Sequence, residues 1–307
     1  MLDFVRTTGQ RYASPLWRLT RAPEHLPFVL PLTLLGALTA SYSQELPLSA
    51  KLAFVTTANV LAVVYAFMIN DIEDAEDDLR NPQARWRNPI AAGAIERSTA
   101  RWAALLVAAL SLMLYAFISP MVLLVGVGIL ALGDFYSRPP FRLKARPVVD
   151  VASHVSMLGG LLCLAGILAQ GGSPGAGWWL VSWATAFSAY GQLYNQVRDY
   201  QADQRAGLAN SADWIGLKWT YRAMLFFVAL AAICMLCFLW FGEFPLWLAG
   251  ALLAAVVLSR WIGTARDARG SEANVGGSLQ QRGLFVLNFI AFSWLVAELL
   301  YPVVLGG

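Results

Sequence analysis

Charge is scarce in this chain, and what there is falls almost wholly on one side. Only 13% of the 307 residues are charged, against 58% hydrophobic, with a mean hydropathy of +0.57 and 12 Trp. A soluble domain of this length would not tolerate that much apolar surface, so the chain reads as a multi-pass membrane protein. Cysteine is nearly absent: Cys163, Cys234 and Cys237 all lie inside apolar runs. The C-x-x-C made by the last two reads as helix packing rather than metal or redox chemistry. No cleavable signal peptide is expected from the first 25 residues, which are rich in Arg and broken by Pro15 and Pro23 rather than carrying a continuous apolar core. The N-terminal segment, 1–25, is expected to be cytoplasmic or interfacial: "SPLWRLTRAPEHLPF", residues 14–28, either lies along the interface, with Leu16, Trp17, Leu19 and Phe28 dipping into lipid, or belongs to an untethered cytoplasmic tail.

Crossing about 30 Å of hydrocarbon takes roughly 20 apolar residues. Such runs lie at 26–43, 52–70, 102–118, 120–136, 149–169, 178–197, 221–241, 244–262 and 284–305. They predict an all-α membrane protein, a bundle of nine transmembrane helices in one polytopic domain over 26–305. Of the 22 Lys and Arg, all but Lys51 fall before the first run or in the loops that follow the second, fourth, sixth and eighth. The positive excess marks the cytoplasmic side, so the N-terminus is expected inside and the C-terminus outside. Short loops, the lack of a transit peptide and the preference for Arg over Lys point to a bacterial inner (plasma) membrane. No nucleic-acid partner is expected.

The scarce negative charge is concentrated. "NDIEDAEDD", residues 70–78, packs six carboxylates directly behind the second apolar run, and "NQVRDYQAD", residues 195–203, ends the sixth. Asn70, Asp74 and Asp78 share the spacing N-x3-D-x3-D with Asn195, Asp199 and Asp203, at an offset of 125 residues. The chain therefore divides into two four-helix pseudo-repeats, about 26–136 and 149–262, with a ninth helix added, and a ligand site is expected where they meet. On an α-helix, four-residue spacing keeps each triplet on one face. Two such faces over one cavity would repel unless a cation neutralised them, and hard oxygen ligands at a wet boundary suit Mg²⁺ carrying a diphosphate. Asp71 reaches the same mouth, while Glu73, Glu76 and Asp77 read as bystanders.

These residues resemble the intramembrane prenyltransferases of the UbiA superfamily. Asn70, Asp71, Asp74 and Asp78 match the N-D-x2-D-x3-D motif, and Asp199 and Asp203, followed by Gly207, match the second D-x3-D. "FYSRPPFRLKARP" is similar to the Y-S-x-P-P-x-x-L-K loop, at Tyr136, Ser137 and Lys144. "RWRNPIAAGAI" is similar to the R-P-I-x-x-G segment but departs from it at Asn88, an extra residue before Pro89. The resemblance implies a nine-helix bundle with a lateral cavity, in which Mg²⁺ on Asp71, Asp74, Asp78, Asp199 and Asp203 holds a polyprenyl diphosphate. Arg87, Arg138, Arg142, Lys144 and Arg198 are candidates for the diphosphate. The carbocation left by ionisation needs an apolar, aromatic pocket, for which Tyr65, Phe67, Phe187, Tyr190 and Tyr194 stand just membrane-side of the acids, with packing as the alternative role. His154, one turn after Asp150, either takes the proton the acceptor loses or forms a structural pair with that Asp. Asp134, beside Tyr136, is expected to support the mouth.

The reaction expected is transfer of a prenyl chain to a hydrophobic acceptor of quinone, chlorin, carotenoid or lipid type. A terpene cyclase would need the same acids and no acceptor. A cation transporter fits less well, because the acids stand at one membrane face rather than near the midplane. Chain length and acceptor are not legible in the sequence. The charge asymmetry makes one prediction on its own: a tag at Gly307 is accessible from outside and one near Thr7 from inside. Cytoplasmic labelling of both ends would require an even number of spans.

Overall fold

The computed structural model describes residues 14–305 except 81, 174, 176, 206, 208, 244 and 263–276, and all the regular structure among them is helical. Helix α1 (Pro15–Thr20) leads through Arg21 into α2 (Ala22–Ser43), followed by α3 (Lys51–Arg80), α4 (Pro82–Arg87), α5 (Arg97–Ile118) and α6 (Pro120–Ser137). After a 3-10 turn at Leu143–Ala145, α7 (Val149–Val155), a π-helical turn at Ser156–Gly160 and α8 (Leu161–Ala169) run on as one span. Then come α9 (Trp178–Arg205), α10 (Ser211–Ile215), α11 (Leu217–Trp240), α12 (Leu246–Leu258) and α13 (Gly277–Leu305).

Seven of the described helical segments are long and apolar enough to cross a membrane: α2, α3, α5, α6, the continuous α7–α8, α11 and residues Leu279–Leu300 of α13. Two of the nine runs read from the sequence form helices that fall short of that standard. The 178–197 run lies in α9, whose Trp, Tyr, Ser and Gln residues lower its hydropathy, and the 244–262 run yields α12, only 13 residues long. Helix α3 has 30 residues. At 1.5 Å per residue that is about 45 Å, so its acidic end stands beyond roughly 30 Å of hydrocarbon.

The N-terminal segment is partly drawn inward. Leu16 and Trp17 are half exposed, but Leu19 is fully buried in the core and Phe28 packs partly buried against it. Ser14 caps α1, accepting from the Trp17 amide at 3.2 Å. The Arg18 guanidinium donates to the Trp86 carbonyl, tying α1 to α4.

Lipid tails are as apolar as leucine, so helices in a membrane must associate by close fit and polar bonds rather than hydrophobic exclusion. Helices α2 and α8 meet backbone to backbone. A Cβ on Gly36 would lie 2.1 Å from the Cys163 carbonyl oxygen, and one on Gly166 would lie 2.3 Å from that of Thr33. Buried Asn59 joins three other helices to α3: its amide donates to Thr33 Oγ1 at 2.7 Å and to the Leu162 carbonyl at 3.1 Å, and its oxygen accepts from Tyr115 at 2.6 Å. Pro31 has no N–H to offer the Pro27 carbonyl, and Asn288 of α13 donates there instead at 2.7 Å, fastening the last helix to the first long one. On the outside, Trp102, Leu106 and Phe117 of α5 and Leu225 and Leu236 of α11 are exposed, an apolar surface suited to lipid.

Gly36→Ala is expected to lower the unfolding midpoint in detergent, at a cost of roughly 1–3 kcal/mol for overpacking. Gly128→Ala, where the new carbon would meet its nearest neighbour at 3.8 Å, serves as the tolerated control. Equal midpoints for the two variants would contradict the close α2–α8 contact.

Candidate active site

At the acidic end of α3 each carboxylate of the first motif has its own counterpart. Asp74 receives the Lys144 ammonium on both carboxylate oxygens and the Asn70 amide on one. Arg142 lies 3.7 Å from Asp74 and 3.1 Å from Asp77. Asp77 thus helps to hold the loop after α6, and Glu76 pairs with Arg97 at 3.2 Å on the outer surface. Asp78 accepts from the Asn88 amide at 2.9 Å. Asp71 turns inward, where it is 2% exposed and 3.3 Å from the Arg21 guanidinium.

Arg21 is a contributor that sequence reasoning passed over, counting it only as part of the positive-inside charge. It is nearly buried, in the left-handed region at φ 51°, and its guanidinium binds Glu24 as well as Asp71 while lying 4.6 Å over the Phe67 ring. Burial works against its charge, but Glu24 and Asp71 more than offset this and raise its pKa above the ordinary arginine value. Arg87 stands in the same field. The like charge of Arg21, then burial, push its pKa below the usual value, and its Nε is buried without a hydrogen-bond partner. No motif in the sequence singles out Arg21 or identifies its partner.

In the second motif the Arg198 guanidinium forks onto its neighbour Asp199, at 2.9 and 2.7 Å. Asp203 accepts from the Asn210 amide at 2.8 Å. Asn195 is half-buried, whereas Tyr194 is fully buried in a cluster with Tyr190, Leu193, Val197 and Met224. Asp150 is also buried. It accepts from Gln196 at 2.6 Å, from the Ser211 amide at 2.7 Å and from the Ser211 hydroxyl. These bonds fasten the chain after the second motif to α7 and α9. His154 faces Tyr136, with ring centroids 6.0 Å apart.

The end of α6 stands between the two acid-bearing helices and is bonded to both. Tyr65 of α3 donates to Asp134 at 2.8 Å, and Gln192 of α9 donates to the Tyr136 hydroxyl at 2.8 Å. Arg138 closes back on Asp134 at 3.0 Å. On the membrane side of the second motif, Trp183 stacks on Phe187, which packs in turn on Tyr190. Two shallow grooves lie elsewhere. One, of about 530 Å³, is lined by Leu48, Leu52, Thr56 and Leu295 near the other end of α3, and one of about 640 Å³ by Trp214, Trp219, Arg222 and Phe226.

Among the described residues no three His, Cys, Asp or Glu side chains converge into a ready-made metal cage. The donors present still fit Mg²⁺, which takes one or two carboxylates and completes its octahedron with water and phosphate oxygens. They are hard oxygens on two helix ends, and Oδ2 of Asp71 is buried with no hydrogen-bond partner.

The model of the UbiA prenyltransferase family matches residues 29–289. A lycopene elongase/hydratase of Corynebacterium glutamicum is 29% identical over 212 residues, 67% of this chain and 71% of the relative. One from Haloarcula japonica is 27% identical over 196 residues, covering 62% and 60%. In fold, the chain is similar to a UbiA homologue from Archaeoglobus fulgidus bound to GPP and Mg²⁺, with a TM-score of 0.70 at 23% identity over 92% of this chain and 100% of that one. Because the family model spans residues 29–289, most of its length, the chain belongs to the UbiA prenyltransferase family.

Proposed function

We propose that this prenyltransferase moves a polyprenyl group from an allylic diphosphate onto a hydrophobic acceptor of carotenoid type within the membrane, with Mg²⁺ as cofactor. The observation that carries the reading is the end of α6, hydrogen-bonded through Asp134 to Tyr65 of α3 and through Tyr136 to Gln192 of α9. One element thereby ties together the two helices that bear the acids. The acceptor class rests on the relatives named lycopene elongase/hydratase. Those names also favour transfer over cyclisation of the donor on itself.

Asp71, Asp74, Asp78, Asp199 and Asp203 would hold the metal, with Asn70 and Asn195 beside them. Bound there, Mg²⁺ supplies positive charge to the diphosphate and stabilises it as a leaving group. The cations now paired with the acids are the groups available to the diphosphate: Lys144, Arg142 and Arg198, with Arg87 and Arg138 at the margin. In the reaction the allylic C–O bond breaks, its electron pair leaves with pyrophosphate, and an alkene carbon of the acceptor bonds to the cation before losing a proton. Electrostatic stabilisation of the departing anion carries most of the rate. Rings such as Phe187 and Tyr65 would keep water from the cation. His154, beside Tyr136, is a candidate to take up the proton.

The same reading takes α9 and α12 as spans, giving nine helices in two pseudo-repeats plus α13, with the N-terminus and the acids on the cytoplasmic side of a bacterial inner membrane. The charge distribution and the matched acidic spacings support it.

Purified protein supplied with allylic diphosphates and a carotenoid-containing lipid extract, analysed by mass spectrometry, tests the proposal. Prenylated acceptor is expected, lost with EDTA and regained with Mg²⁺. Asp74→Asn and Asp199→Asn should each lower turnover by roughly 10²-fold or more. Near-normal rates in both at saturating Mg²⁺, or a cyclised product without acceptor, would contradict it. Lys144→Ala should weaken apparent affinity for the diphosphate, with Lys144→Arg a poor substitute because a planar fork replaces a point charge.

A further inference from the structure

The last acid of each motif is held in the same way, by a residue outside either motif. Buried Asn88 donates from Nδ2 to Oδ2 of Asp78 at 2.9 Å, ten residues back, and also to the Asp71 carbonyl at 2.8 Å. Its oxygen accepts from the backbone amides of Ile90 at 3.0 Å and Ala91 at 3.3 Å. Buried Asn210 donates from Nδ2 to Oδ2 of Asp203 at 2.8 Å, seven residues back, and its oxygen accepts from the Asp213 amide at 3.0 Å. In both halves, then, the carboxamide oxygen caps a backbone N–H three residues on, while the amide grips one chosen oxygen of the acid. Each grip is itself anchored. Asn88 is pinned to the α3 backbone at Asp71, and Asn210 precedes Ser211, whose amide and hydroxyl both bind Asp150.

We infer that Asn88 and Asn210 are equivalent positioning residues, one in each half of the chain, that fix the orientation of Asp78 and Asp203 for metal binding. An Asp side chain on a helix end has a free χ2 rotation. A donor locked to Oδ2 settles the plane of the carboxylate and the direction of Oδ1. Partners of this kind around a metal ligand typically account for about 10–100-fold in affinity or activity. The inference rests on the metal-binding reading of the acids given above, and it assigns a role to Asn88, the residue at which the chain departs from the R-P-I-x-x-G pattern.

Asn88→Ser and Asn210→Ser test it. Serine caps as well as asparagine, but its hydroxyl is one atom too short to reach the acid, so the cap survives and the grip does not. The probe is Mn²⁺ alone, titrated by electron paramagnetic resonance into the full-length protein in detergent, alongside the unfolding midpoint and turnover with allylic diphosphate. Each variant is expected to keep the wild-type midpoint, to bind Mn²⁺ about 10–100-fold more weakly and to recover turnover in part at high metal concentration. Wild-type Mn²⁺ affinity in both Ser variants, or a lowered midpoint with unchanged affinity in the folded fraction, overturns the inference and leaves the two Asn as caps. If Asn88→Ser does not fold, Asn210→Ser decides by the same readouts. A wild-type protein that binds no Mn²⁺ and turns over without metal would overturn the metal-binding reading itself.

Discussion

Carboxylates gathered at the end of a membrane-spanning helix repel one another and resist leaving water, so each must be met by a cation or a hydrogen-bond donor. The architecture at this end of the molecule follows from that requirement. Asp71 has Arg21, Asp74 has Lys144 and Asn70, Asp78 has Asn88, Asp199 has Arg198, and Asp203 has Asn210. The partners come from the segment before α2, from the loop after α6 and from the chain after each motif. Meeting the charge therefore folds four separate stretches over the two acidic helix ends. Where the pair is buried, as for Asp71 and Arg21, removing one partner would cost about 3–5 kcal/mol, because the other is left as an uncompensated charge. The surface pairs, such as Arg97 with Glu76, contribute little by comparison.

Beneath this polar layer the scaffold is held by contacts that leave little room for adjustment. The α2–α8 crossing at Gly36 and Gly166, the Asn59 bonds to Thr33, Leu162 and Tyr115, and the Asn288 bond to Pro27 connect the first long helix with the middle and last ones. Helix α6 couples that scaffold to the acids. A Cβ added to Gly133 would lie 2.8 Å from that of Ala66, so α6 and α3 pack tightly right beside the Tyr65–Asp134 bond. Groups that bind a diphosphate must be held in position before the ligand arrives if they are to stabilise its departure.

Hydropathy made the helices legible, because a span needs a length of apolar chain that nothing else in the sequence imitates. The run at 149–169 became α7 to α8 with the expected ends, and 120–136 became α6. It was less informative for α9, where the residues facing α6 and α10 are polar. The acids and Lys144 were legible from spacing and loop motif, and the structure adds the Lys144–Asp74 contact. Arg21 was not, since its partner Asp71 lies 50 residues away and only the tertiary fold joins them. The paired Asn were hidden for a different reason. The 125-residue offset that aligns the motifs carries Asn88 to Asp213, and the second Asn stands three residues earlier because its loop is shorter. Leu19 read as lipid-facing with its neighbours Leu16 and Trp17, but it is fully buried in the core while those two are half exposed.

The central claim is that the two acidic motifs serve one ligand between them. The most direct measurement is the stoichiometry of Mg²⁺-dependent binding of a non-hydrolysable prenyl thiolodiphosphate, by calorimetry on the wild type and on variants with one motif disabled. The account predicts one molecule per chain, with binding lost when either motif is changed. Two molecules per chain, one disappearing with each motif, would contradict it.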